Sequence, residues 1–344
     1  MKFSVLLLSI LFVSGLAIFV GSKSEASTCE ALFKTGRSDL DLLQHAQKRV
    51  PKDTWFVRDT LVFELEREMG VDRDTVHETL AKLAATRKST PVSNFGVGAA
   101  VVTAKGDVIL GANIEIKSLP LNSTLHAERT AMFLALDLGE KPVELFTTAT
   151  PCGGCRQWLN EIEGGRDLVI ASRDASGQRF KKKLSELLPM DFGPYALGQK
   201  GIFDAGQFKS DRKQWVVPEV GNELSAGEMD GFLRALEKSY APYSQSPAAA
   251  LIRLRDGRSV TGSYIEHAAF DGYAPVMIAY AKLKMTGIRD AEIATIYLLE
   301  APGRDAELEI NHTGANQIVA DALSKARGEA QPIPFKTLKL SSTR

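Results

Sequence analysis

Beyond its first thirty residues the chain carries two hydrophobic rhythms in succession. Leu40, Leu42, Leu43 and Ala46, then Leu61, Leu65 and Met69, then Val76, Leu80 and Leu83 recur at three- and four-residue spacing, which predicts short amphipathic helices. Gly70 and the Asp72–Asp74 stretch punctuate the second and third, and Ser89-Thr90-Pro91 ends the series. After that the rhythm shortens. Phe95 to Val102 and Asp107 to Leu110 are brief apolar runs around the turn-prone Lys105-Gly106, the pattern of a strand hairpin. A helix over Leu125 to Leu138 closed by Gly139, a strand over Val143 to Ala149, a helix from Pro151 to about Ile162 and a strand over Leu168 to Ala171 follow. That order predicts an α/β fold with a mixed sheet.

The second half repeats the first. Ser93 to Glu115 lies over Ser244 to Glu266 at a constant offset of 151 residues without gaps. Ser93/Ser244, Ala99/Ala250, Gly106/Gly257, Gly111/Gly262, Ile114/Ile265 and Glu115/Glu266 are identical pairs. Two turn glycines in register make duplication the better reading. The chain therefore divides into a helical N-terminal segment (27–71), a first α/β domain (72–197), a Gly-, Lys- and Asp-rich linker (198–223) and a second, similar domain (224–344).

The first 26 residues stand apart. Phe3 to Val20 is almost wholly apolar, follows Lys2, and is succeeded by a small-x-small ending at Ser24-Glu25-Ala26. This fits a secretory signal peptide cleaved after Ala26, and the run is also near the lower limit for an uncleaved signal anchor. Either use places the protein outside the cytosol or tethered to a membrane; a start further downstream leaves it cytosolic.

Among 344 residues, 44% are hydrophobic and 24% charged, the composition of a folded globular protein. Lys+Arg and Asp+Glu both number 42, so the net charge is zero. That argues against a nucleic-acid polymer as partner, since such binding draws its affinity from phosphate neutralisation. Three cysteines, Cys29, Cys152 and Cys155, are too few for a disulfide scaffold.

Two of them carry the chemistry. His126-Ala127-Glu128 precedes Pro151-Cys152-Gly153-Gly154-Cys155. Cys152 and Cys155 at a helix start present both sulfurs on one face, where free N–H groups favour thiolates. His126 supplies a nitrogen, giving three protein ligands and a fourth position for water, a catalytic zinc arrangement with one ion per chain. Glu128 stands two residues from a ligand, placed to move protons. H-x-E with P-C-x-x-C is the signature of zinc-dependent nucleobase deamination. A redox dithiol has no use for His126-x-Glu128, and a structural zinc wants a fourth cysteine or histidine.

With those residues the chain resembles the two-domain, homodimeric bacterial type of cytidine deaminase, from about Asp72 to Leu323. Outside the zinc motif the resemblance rests on Ser93-Asn94-Phe95-Gly96-Val97-Gly98-Ala99, Gly111-Ala112-Asn113-Ile114-Glu115, Leu187 to Pro194, and Pro242 to Pro247. It implies two tandem αβα deaminase-like domains with mixed central sheets behind a small helical segment. It implies a hydrolase acting on the C–N bond of a cyclic amidine, which turns cytidine and deoxycytidine into uridine and deoxyuridine plus ammonia in pyrimidine salvage. Glu128 would carry the protons. Asn113, Ile114 and Glu115 would hold the ribose, Phe95 and Phe192 would close on the nucleoside, and backbone groups of Ala127 and Thr150 would touch the base. Arg156 would hydrogen-bond the thiolates, and the region near Phe270 would reach the partner subunit's site.

The second domain lacks the donors. At the same offset His126, Glu128, Cys152 and Cys155 meet Met277, Ala279, Gly303 and Ala306. Two other readings stay beside the main one: a zinc deaminase for another small amino-heterocycle or a nucleotide, and a non-catalytic exported binding module on the same fold.

Overall fold

The computed structural model describes residues 37–203, 215–216, 223–302 and 310–342. The export-type segment and Cys29, the linker apart from its ends and Trp215–Val216, and Gly303 and Ala306 lie outside the described residues.

The lead-in forms as its spacing predicts. Helices α1 (Asp39–Arg49) and α2 (Asp59–Met69) bury Leu42, Ala46, Val62, Leu65 and Met69. Ser38 and Asp41 form a capping box that starts α1, and Gly70 ends α2 in the left-handed conformation. Between them β1 (Phe56–Val57) adds to the first sheet; two residues are too short to leave a period in the sequence. Helix α3 (Arg73–Ala85), capped by Asp72, follows.

The first sheet continues with β2 (Gly98–Thr103), β3 (Val108–Ala112), β4 (Pro142–Thr147), β5 (Val169–Arg173) and β6 (Arg179–Lys183). Its order is β1-β3-β2-β4-β5-β6, with β4 and β5 parallel and the other pairs antiparallel. Phe95 falls outside β2, in the loop that precedes it. Strand β6, Arg-Phe-Lys-Lys-Lys, carries no apolar alternation because it is a largely exposed edge. Helix α4 (Ala127–Leu138) connects β3 to β4, and the short α5 (Gly153–Leu159) connects β4 to β5.

Glycines fix which helix covers which face. A Cβ on Gly98 would lie 2.0 Å from the Ala81 carbonyl of α3, and one on Gly111 would lie 2.3 Å from the Ala127 carbonyl of α4. Gly98 pairs with Ala112 and Gly111 with Ala99, so α3 and α4 pack on opposite faces.

The second half comprises α6 (Ala226–Glu237), β7 (Ala248–Leu254), β8 (Ser259–Ser263), α7 (Pro275–Met285), β9 (Ile293–Glu300), α8 (Thr313–Arg327) and β10 (Phe335–Lys339). Its sheet runs β10-β9-β7-β8, with β9 and β10 parallel, the topology of β3-β2-β4-β5. Ala250 pairs with Gly262 as Ala99 pairs with Gly111. Gln245 repeats the left-handed conformation of Asn94, φ 57° against 56°.

The duplication then changes register. Ile114 bridges Leu125 and Ile265 bridges Tyr273, an offset of 148. Three residues are therefore missing from the second copy's loop, and His126 and Glu128 correspond to Ala274 and Val276 rather than to Met277 and Ala279. Ala249 and Leu251 face α6 in a small separate core, while Ala250 and Ile252 join a core continuous with the first half, where α4 meets α7. No helix among the described residues is long and apolar enough to cross a membrane.

Candidate active site

Two helix starts converge on one point. His126 is the N-cap residue of α4, and the Ile114–Leu125 bridge fixes the chain just before it. Cys152 caps α5, its Sγ accepting the Cys155 N–H at 3.4 Å. The His126 Nδ1 lies 3.6 Å from Cys152 Sγ and 3.3 Å from Cys155 Sγ. All three donor atoms sit within 4.8 Å of one another. One imidazole and two sulfurs at this spacing suit a soft, four-coordinate ion, and three protein donors leave a position open for water.

The sulfurs are unequal. Cys152 accepts hydrogen bonds from the Cys155 thiol and from His126, which pull its thiol down to about 3. Cys155 is pushed far up by that same hydrogen bond and by burial. Beside them Glu128 is 3% exposed, and its Oε2 has no hydrogen-bond partner. Burial pushes its carboxyl up, which suits a group that takes and returns protons.

His126, Glu128 and Cys152 line a cavity of about 280 Å³, whose other walls include Phe95, Asn113, Glu115, Leu121 and Thr150; Cys155 is fully buried. Among the described residues, none that lines the cavity is Lys or Arg. Asn113 and Glu115 face the cavity from one side of the chain, but they also bind protein. Asn113 Oδ1 accepts the Ala127 N–H at 2.9 Å and its Nδ2 donates to the Phe95 carbonyl. Glu115 accepts from the Val92 and Ser93 amides and the Ser93 hydroxyl. Glu266 accepts from the Tyr243 and Ser244 amides in the same way, where no donor set accompanies it. Part of the Ser-Glu motif is therefore architecture.

The remaining expected residues divide. Phe95 is 63% exposed at the cavity rim. Thr150 lines the wall, its hydroxyl donating to the Arg173 carbonyl at 2.7 Å. Ile114 is fully buried, its side chain in the hydrophobic core and its backbone bridged to Leu125. The Ala127 amide is already engaged by Asn113. Phe192 is outside the cavity lining, its carbonyl accepting from Gln157 and Asn160.

Arg156 does not lie on the thiolates. Its Nε donates to the Pro151 carbonyl at 2.9 Å and its Nη1 to the Leu187 carbonyl at 3.2 Å, because one helix step from Cys155 turns it about 100° away. Arg129 is the buried cation near the sulfurs, and sequence reasoning missed it. A Cβ on Gly154 would lie 3.2 Å from Arg129 Nη2 and 3.9 Å from Cys152 Sγ. A charged residue inside an otherwise apolar helix, one position after Glu128, was the available signal.

Fold and donor set together define a zinc-binding deaminase. The cytidine and deoxycytidylate deaminase zinc-binding region matches residues 72–172, and a second region of that description matches 184–314. The chain belongs to the cytidine and deoxycytidylate deaminase family. It is 35% identical over 249 residues to the cytidine deaminase of Sodalis glossinidius (strain morsitans), covering 70% of this chain and 78% of the relative. It is 33% identical over 263 residues to that of Cronobacter sakazakii, covering 75% and 85%. The solved cytidine deaminase from Burkholderia pseudomallei is 34% identical over 34% of this chain and 96% of its own, with a TM-score of 0.31. The second matched region contains no cysteine.

Proposed function

We propose that this protein hydrolyses cytidine and deoxycytidine to uridine and deoxyuridine with release of ammonia, serving pyrimidine salvage as a homodimer. The observation that carries the reading is the unpartnered, buried Oε2 of Glu128 beside His126, Cys152 and Cys155, where His126, Glu128 and Cys152 line the cavity. Bound zinc supplies the Lewis acidity that makes water nucleophilic at neutral pH. Glu128 would accept one proton of the water and deliver it to the ring N3, then take the second proton from the oxygen added at C4 and pass it to the amine, which leaves as ammonia as the C4 carbonyl forms. The buried wall of Asn113 and Glu115 orients the sugar, and Phe95 covers the mouth.

A nucleoside suits the cavity better than a nucleotide. A phosphate would meet Glu115 with no Lys or Arg among the described lining residues to balance it. In this reading residues 72–197 form the catalytic domain, 224–344 the silent one, and residues 1–26 direct the chain out of the cytosol or anchor it.

The test is the ultraviolet band of cytidine followed with the purified chain, with and without a zinc chelator. Chelator-sensitive loss of the band with stoichiometric ammonia is expected. A zinc-loaded chain that leaves cytidine and deoxycytidine untouched refutes the proposal.

A further inference from the structure

The two helices that carry the donor set are both held by the silent half. Its segment His267–Tyr273 lies against them. Glu161, two residues beyond α5 and fully buried, accepts from the Tyr240 and Tyr243 hydroxyls and the Ala268 amide. His267 Nε2 stands 3.0 Å from the Gln157 carbonyl, and its ring stacks on Trp158 of α5.

The contact with α4 is charged. Arg129, 6% exposed, places Nη1 2.9 Å from Asp271 Oδ2 and donates to the Tyr273 hydroxyl, which itself donates to the Thr124 carbonyl. The Tyr273 ring lies under the guanidinium, 5.1 Å from its carbon. Burial works against this cation, while the Tyr273 oxygen, Cys155 and Asp271 favour it. Arg129 Nε has no partner of its own. The guanidinium thus has one edge fixed by the second half and another beside Gly154 at the start of α5.

We infer that Tyr273 and Asp271 are positioning residues for the zinc ligands: they hold Arg129 where its charge stabilises the Cys152 and Cys155 thiolates. A domain without donors thereby governs how firmly the other keeps its ion. The inference rests on the zinc reading of the site, and the two fail separately.

The experiment uses the full chain loaded with zinc and measures metal content, then the rate of zinc transfer to a chromogenic chelator. Tyr273→Phe keeps the ring and removes the hydroxyl, and it is expected to speed zinc loss about ten-fold, the usual effect of disturbing a ligand's supporting contacts. Asp271→Asn, at a partly exposed site, accelerates it less. Cobalt substitution gives a second readout, a shifted sulfur-to-cobalt charge-transfer band in both variants. Tyr243→Phe, which removes a Glu161 bond in the same interface, lowers the melting temperature and leaves zinc release unchanged. A wild-type chain that binds no zinc overturns the zinc reading. A zinc-loaded chain whose release rate and cobalt spectrum are unmoved by Tyr273→Phe and Asp271→Asn overturns the inference.

Discussion

In the proposed reaction Glu128 carries the protons, and its buried environment sets what a substitution does. Glu128→Gln keeps the volume and removes the proton carrier. Zinc content should remain at the wild-type value while kcat falls about 10²–10⁴-fold, measured by metal analysis and cytidine turnover on one preparation. A second buried residue links stability to acid. His77 is 3% exposed with neither ring nitrogen hydrogen-bonded, and burial, with a smaller contribution from Arg73, lowers its pKa to about 4. The unfolded chain therefore takes up this proton first, so stability is lost as pH falls from 6.5 towards 4, by about 3 kcal/mol for this group. Urea unfolding at pH 7 and pH 4.5 should show a smaller loss in His77→Leu than in the wild type. An equal loss would place the acid sensitivity elsewhere.

At the scale of elements, the duplication offers an internal control. Gly111 and Gly262 hold the same register on β3 and β8, and a Cβ at either would sit 2.3 or 2.2 Å from a carbonyl at the start of the packed helix. Alanine at each site should cost about 1–3 kcal/mol of stability by overpacking. Only Gly111→Ala displaces the turn that carries His126 and Glu128, so only that variant should lose zinc affinity as well. Thermal unfolding and metal titration of the pair separate the two effects. The hairpins and helices were legible because Lys105-Gly106, Gly111 and Gly139 punctuate clear apolar periods. β1 and β6 were not: a two-residue strand has no period, and a lysine-rich edge has no buried face to pattern.

For the whole molecule the telling contacts cross between the halves. Lys282, 6% exposed, pairs with Asp137 at 2.7 Å, whose carbonyl also accepts from Lys238. Asp137→Asn leaves a buried ammonium without its partner and should cost about 2 kcal/mol, below the usual 3–5 for a fully buried pair because Asp137 is partly exposed. Burial already pushes Lys282 down, and losing Asp137 lowers it further. The unfolded variant then binds more protons than the folded one in the alkaline range, so its stability should recover as pH rises towards 10. Melting curves across pH 7–10 check both the loss and its slope. An alkaline recovery absent from Asp137→Asn would mean that Lys282 finds another partner.

The α/β class, the duplication and the donor set could be read from the residues alone, because strand and helix periods, turn glycines and the His126, Glu128, Cys152 and Cys155 spacings are local properties of the chain. Which cation stands near the sulfurs is settled by long-range packing. Arg156 and Arg129 are both close to the motif in sequence. The helical rotation after Cys155 turns the first onto backbone carbonyls, and Asp271 and Tyr273, more than 140 positions away from Arg129 in the chain, hold the second in place. The three-residue shift that sets Ala274 and Val276 opposite His126 and Glu128 was hidden for the same reason. A loop deletion leaves no mark on local periodicity, and only strand pairing on either side of it shows where the helix begins.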